Sequence, residues 1–245
     1  MQVYRMAEIN IGVTSLFDRV HRRCAAYAVT GDPDFTVSIT SADIDREREQ
    51  SVREAQRTGR PSRTWSDGYL EELAVYRQIA ERMPRYDTIL LHGAAVAVDG
   101  RGYLFAAPSG TGKSTHARLW QEMLGDRLIY VNDDKPLVRV APEGAMVYGT
   151  PYDGKHRRSA NLAVPLAAIC FLQRGEKNVI RRIGPREAFP RLLQRVYRPQ
   201  DQQALERTVA LVQGLTERVG LFELTCDREP DAARVAFEGM GGTLI

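Results

Sequence analysis

Residues Ser109, Gly110, Thr111, Gly112, Lys113, Ser114 and Thr115 are consecutive and carry the most specific chemistry in the chain. The glycines let successive backbone N–H groups turn inward, and a concave array of such donors holds phosphate oxygens. The lysine supplies a point charge for the β- and γ-phosphates of a nucleoside triphosphate, and the hydroxyl of Ser114 suits a magnesium ion. At average residue usage, a chance Gly-x-Gly-Lys-Ser/Thr in a chain of this length is roughly a one-in-a-hundred event. The bland alternative is a glycine-rich turn with no ligand. Ala107 stands where such loops usually carry their first glycine, and a positive φ at that position would strain an alanine.

Downstream, Asp133 and Asp134 close an apolar stretch. One carboxylate can hold magnesium and the other can accept a proton from an attacking hydroxyl, because closeness to the metal and to each other separates their pKa values. Without the loop upstream, paired aspartates after a strand are a turn signal. His92 lies on an apolar stretch before the loop, where a histidine is most often a satisfied core residue. In Lys155-His156-Arg157-Arg158, which follows Pro151 and Gly154, Lys155 or Arg158 could stabilise charge on a transferring phosphoryl group. The same run also reads as a solvated basic loop. His116 and Trp120, one helical turn apart, could wall the nucleotide or substrate pocket, with simple packing the equal alternative. Cys24, Cys170 and Cys226 have no metal-ligand spacing and read as buried or idle thiols in a reducing compartment.

The elements that would position these residues follow from periodicity and breakers. Thr88 to Val98 reads as a strand, Asp99-Gly100 as a hairpin turn, and Gly102 to Ala107 as a second strand running into the loop. Lys113 to Leu124 reads as a helix and Arg127 to Val131 as a third strand, expected parallel to and beside the loop's own strand. Further strands fit 145–149, 165–172, 178–183 and 221–226, and helices fit 185–194, 201–218 and 230–240. Before these come two β-rich stretches, 3–13 and 35–40, a charged helix over 43–57 and a helix over 68–83. The expected class is α/β. The breakers in 58–62 suggest a linker between a small N-terminal α+β domain, 1–60, and a main domain, 61–245.

At 245 residues the chain can bury a sizeable core. Its net charge of +3 is spread over mixed signs, which predicts neither nucleic acid nor membrane as a partner. There is no apolar run of membrane-spanning length and no basic patch ahead of an apolar stretch, so the expected location is the cytoplasm.

At its motif residues the chain resembles the HPr kinase/phosphorylase family, and more closely that family's small kinase-only relatives. The resemblance covers roughly residues 89–175 and rests on His92-Gly93, the loop Pro108 to Thr115, Asp133-Asp134, and the basic stretch before an apolar strand at 154–172. It implies the P-loop core that this family shares with phosphoenolpyruvate carboxykinases. It also implies Asp133 as the proton-transfer base, Asp134 as a magnesium ligand, and His92 near the phosphoryl-transfer centre. Thr115 replaces the glutamate of bifunctional members, and their segment for phosphorolysis is missing. The implied activity is therefore ATP- and Mg2+-dependent transfer to a hydroxyl, with serine of a peptide or protein as acceptor. The N-terminal unit and Tyr69-Leu70-Glu71 resemble kinases of modified-peptide clusters, such as those acting on lasso-peptide precursors, which implies a precursor peptide as partner. Relatives assemble as oligomers, so a homo-oligomer is implied. Two alternatives stay open: a kinase for a small-molecule hydroxyl such as free serine or a sugar, and a nucleotide-gated peptide-binding protein without transfer.

Overall fold

In a computed structural model, the described residues are 1–59, 61 and 63–244; Arg60 and Ser62 of the expected linker lie outside them. The chain divides into two compact units, Met1–Arg82 and Met83–Ile245.

The first unit opens on a hairpin, β1 (Gln2–Met6) and β2 (Ile9–Thr14). Ala7 and Glu8 make its turn with φ of 49° and 63°, the left-handed values that match the twist of paired strands. Helix α1 (Asp18–Cys24) and strands β3 (Ala28–Val29) and β4 (Phe35–Ser38) follow, giving a sheet of order β3-β1-β2-β4. Helix α2 (Ser41–Thr58) starts at a capping box formed by Thr40 and Asp43 and ends at Gly59, whose φ of 65° no other residue type adopts as cheaply. Helix α3 (Asp67–Arg82) buries Leu70, Val75 and Ile79 and packs on α1, α2 and β4. The boundary expected at residue 60 therefore falls after Arg82, because the apolar stripe of α3 completes the core of the first unit. Glu71, fully buried on α3, accepts hydrogen bonds from the backbone N–H groups of Leu16 and Phe17 and so fixes the entry to α1.

The second unit contains β5 (Thr88–Leu90), β6 (Gly93–Val98), β7 (Arg101–Ala106), α4 (Lys113–Leu124), β8 (Leu128–Asn132) and β9 (Leu137–Ala141). It continues with β10 (Gly144–Tyr148), β11 (Ala163–Arg174), β12 (Val179–Arg182), α5 (Pro185–Leu193), α6 (Gln202–Arg218), β13 (Gly220–Cys226) and α7 (Pro230–Gly239). The fold is mixed α/β, as expected. The sheet order is β5-β9-β10-β11-β7-β6-β8, with β13 paired to β11 and β12 to β13. Strand alternation divides the core. Leu104 and Ala106 face a cluster that includes Leu192, Leu211 and Leu215 from α5 and α6. Tyr103 and Phe105 face a cluster with Trp120 of α4 and Phe237 of α7. The Trp120 ring lies 5.1 Å from those of both Phe105 and Phe237, so aromatic packing clamps α4 and α7 to the sheet. Removing such a ring costs about 3–5 kcal/mol.

Three arrangements differ from the sequence expectation. The run 88–98 is two strands: Leu91 bridges to Val196 and the His92 N–H donates to the Arg195 carbonyl at 2.8 Å, which breaks the run at His92. A continuous apolar run contains nothing that marks such a tertiary break. Leu137–Ala141, left outside the expected elements, is strand β9 and pairs with β10. The aspartate-bearing strand β8 does not neighbour β7; β6 lies between them, antiparallel to both. Because of that direction, the start of β6 meets the ends of its neighbours, with Gly93 opposite Ala106 and Ala95 opposite Asn132. His92, the glycine-rich loop and the aspartate pair thereby share one edge of the sheet.

Candidate functional site

Strand β7 delivers the chain to Ala107, which is buried and does not have a positive φ, so alanine is unstrained there. Gly110 and Gly112 do need glycine, with φ of 82° and 125°. No side chain caps the start of α4, which leaves its first N–H groups free for an anion. Lys113 is buried, and its Nζ donates to the Ala107 carbonyl at 3.1 Å. Burial lowers its pKa, partly offset by the charge of Asp134. Arg174, at the end of β11, donates to the carbonyls of Gly110 and Thr111 and pins the loop apex. Ser109 is exposed on the loop, while Thr115 lines a cavity described below.

The aspartate turn is held by Asn132, which is fully buried. Its side-chain oxygen accepts from the N–H groups of Asp134 and Lys135 at 2.9 and 2.6 Å. Its amide donates to the carbonyl and hydroxyl of Thr150 at 3.1 and 2.9 Å. The Ser114 side chain lies close enough to the Asp133 carboxylate to affect its protonation. Burial raises the Asp133 pKa, opposed by the Ser114 hydroxyl and by the charges of His156 and Arg158. Asp133 Oδ1 is closed to solvent and has no hydrogen-bond partner, an orphaned acceptor of the kind buried sites rarely tolerate. Asp134 lies 3.6 Å from His92 Nε2, beyond hydrogen-bond reach. Burial, followed by the Lys113 charge, lowers the His92 pKa, so the ring is neutral near pH 7. Gly154, φ 71°, brings the basic loop against Asp134; a Cβ there would sit 3.0 Å from the Asp134 Cβ.

The basic loop divides. Lys155 is exposed and forms no hydrogen bond or ion pair among the described residues. Arg158 reaches the turn: its carbonyl accepts from the Asp133 N–H at 3.0 Å, and its guanidinium bonds Tyr130 Oη at 2.9 Å while lying over that ring. A cation that sequence reasoning missed approaches from the other side. Arg195, in the turn after α5, is tied through its carbonyl to His92, and its charge is felt at Lys113 and His92. Burial lowers its pKa, and its guanidinium has no hydrogen bond or ion pair among the described residues. No sequence pattern marks Arg195 or Arg174, since both reach the site only through strand pairing. His116 and Trp120 pack as a pair, with the indole N–H donating to His116 Nε2 at 3.1 Å, and burial lowers the His116 pKa to about 4.

Among the described residues no group of three or more His, Cys, Asp or Glu side chains could hold a metal alone. Magnesium does not need one: it keeps several waters and takes one or two carboxylates together with substrate phosphates. Ser114 and Asp134 fit that requirement, and the open N–H groups with Lys113 fit the phosphates.

Fold and site define a mixed α/β protein built around a glycine-rich loop between a sheet strand and a helix. The chain belongs to the family described as SynChlorMet cassette protein ScmC, whose model matches residues 63–226. Among solved structures, the chain is similar to the Hpr(Ser) kinase/phosphatase from Coxiella burnetii. That match has 12% identity over 62% of this chain and 99% of the other, at a TM-score of 0.34. No curated protein matches the chain. Among the described residues no helix is long and apolar enough to cross a membrane.

Proposed function

We propose that this protein is an ATP- and magnesium-dependent kinase that transfers the γ-phosphoryl group to a hydroxyl, with serine of a peptide as acceptor. The observation that carries the reading is the meeting of Lys113, Ser114, Asp133 and Asp134 at the end of one strand ladder. Residues Ser109 to Thr115 hold the phosphates through backbone N–H groups and Lys113. Ser114 and Asp134 are the protein ligands of magnesium, which supplies charge neutralisation at the phosphates. Asp133 takes the proton of the attacking hydroxyl; its raised pKa makes it a better base than an exposed carboxylate. His92, neutral because burial lowers its pKa, stands beside Asp134. Arg195 and Arg158 spread the charge of the transferring group. The family's description as a cassette protein supports an acceptor made alongside it, such as a precursor peptide.

Incubation with γ-labelled ATP and candidate acceptors tests this. Label should pass to a peptide hydroxyl, and Asp133→Asn should keep nucleotide affinity while losing about 10²–10⁴ in transfer rate. Nucleotide binding without transfer to any acceptor would favour a gated binding protein, and transfer only to free serine or a sugar would favour a small-molecule kinase. Transfer by Asp133→Asn at the wild-type rate would remove Asp133 from its role.

A further inference from the structure

Strand β11 runs on past the point where β7 leaves the sheet. The last rung between them joins Ala106 to Phe171, whereas β11 stays paired to β13 as far as Arg174, opposite Cys226. The Gly175 N–H then donates to the Cys226 carbonyl at 3.0 Å. A Cβ on Gly175 would sit 2.3 Å from Thr225 Cγ2, so glycine is required to close this end. Arg174 thus stands on a fixed strand end beside the glycine-rich loop.

The loop itself is weakly held on that flank. It borders a cavity of 320 Å³, with Thr111, Thr115 and Leu172 in the wall, instead of packed side chains. Ser109 and Gly110 are exposed, and glycine has the most backbone freedom to lose. Arg174 reaches across: its Nε donates to the Thr111 carbonyl at 3.3 Å and its Nη2 to the Gly110 carbonyl. In a planar trans peptide the carbonyl and the following N–H point opposite ways. Holding the Gly110 carbonyl therefore sets the Thr111 N–H, which donates to the Pro108 carbonyl at 3.2 Å and closes the turn. Holding the Thr111 carbonyl aims the Gly112 N–H away from the guanidinium. That N–H has no acceptor among the described residues and adjoins the uncapped start of α4.

We infer that Arg174 is a positioning residue for phosphate binding, which holds the loop apex in the shape that presents the Gly112 N–H to the anion. The inference rests on the phosphate-loop reading and adds a residue outside the loop on which the loop's shape depends. Arg174 acts by hydrogen bonds and not by charge, because its side chain is exposed and solvent screens it. A loop ordered beforehand loses less freedom when the anion arrives, which appears as affinity.

Titration calorimetry of the full chain with ATP and with inorganic tripolyphosphate, both with magnesium, tests this. Arg174→Ala should weaken both ligands by the same factor, roughly 3- to 10-fold, the scale of one hydrogen bond. The urea midpoint should stay near the wild-type value, which separates positioning from a role in stability alone. Arg174→Gln removes the charge but keeps an N–H donor at the place of Nε, within reach of the Thr111 carbonyl, and should bind both ligands within about 2-fold of wild type. Wild-type affinity in Arg174→Ala, a loss confined to ATP, or a glutamine variant as weak as the alanine one would overturn the positioning role while leaving the loop assignment intact. A wild-type chain that binds neither ligand would overturn the phosphate loop and this inference with it.

Discussion

Asn132→Ala tests whether the aspartate turn depends on a single buried amide. The substitution removes the acceptor for two N–H groups, those of Asp134 and Lys135, and the donor to Thr150. Thr150 keeps other partners, since its hydroxyl donates to the Lys135 carbonyl and accepts from the Tyr152 N–H. The loss is therefore dominated by two orphaned donors at about 1–3 kcal/mol each. Both lie at a partly buried turn that water can approach, so a total of about 2–4 kcal/mol is expected. A domain stability of about 5–15 kcal/mol absorbs this without global unfolding. Urea unfolding should show a lower midpoint with unchanged slope. Phosphoryl transfer should fall at least about 10-fold, because Asp133 and Asp134 lose their common anchor. Asn132→Asp keeps the one oxygen that accepts from both N–H groups but loses the donor to the Thr150 carbonyl and sets a third carboxylate beside the pair, so it should destabilise through like-charge repulsion. An unfolding free energy for Asn132→Ala within about 0.5 kcal/mol of wild type would refute the reasoning, because it would mean that the turn does not depend on this amide.

Further outcomes follow from other features. Gly112→Ala places a Cβ at φ 125°, a strain of about 1–3 kcal/mol, and should weaken ATP at least about 10-fold by calorimetry; unchanged affinity would mean that the loop does not hold the phosphates in this shape. Lys113→Ala should weaken both ATP binding and transfer, read by the same calorimetry and by label transfer, and full ATP affinity would contradict the loop assignment. Arg195→Ala should lower the transfer rate about 10²-fold with ATP affinity within a few-fold, measured by single-turnover kinetics; a rate equal to wild type would leave Arg158 as the relevant cation. Glu71→Ala strands the N–H groups of Leu16 and Phe17 and should destabilise the first unit by about 2–5 kcal/mol, seen as an earlier unfolding transition.

The candidate segments were legible because a loop suited to phosphate and magnesium uses particular residue types at fixed spacing. Gly110, Gly112, Lys113 and Ser114 could be located from the sequence alone, and so could the strands and helices around them. The strand order was not legible. Nothing in 93–98 says that it inserts between the loop strand and the aspartate strand, since a fully buried strand is apolar on both faces whatever its neighbours. The basic loop shows the same limit. Its sequence does not distinguish Lys155, exposed, from Arg158, which is drawn in by Tyr130 and by the backbone of Asp133. Arg174 and Arg195 carried no signal, because each is an ordinary arginine until pairing brings it to the loop or to His92. The boundary at residue 60 misled because a breaker marks a turn, whereas a unit ends where its last apolar face is covered.

The ladder of β7, β6 and β8 has one further consequence. It gathers His92, the loop and both aspartates from a single short span of sequence, so the candidate site forms by local zipping with little entropy lost in closing long loops. The opposite end of that ladder is the tight reversal at Asp99-Gly100, where both residues have positive φ and the tip is exposed. An insertion there lengthens only the distal bend, at about 0.6 kcal/mol per doubling of loop length. A fluorophore or affinity handle spliced at this tip would report on the assembled ladder from the end opposite the candidate site.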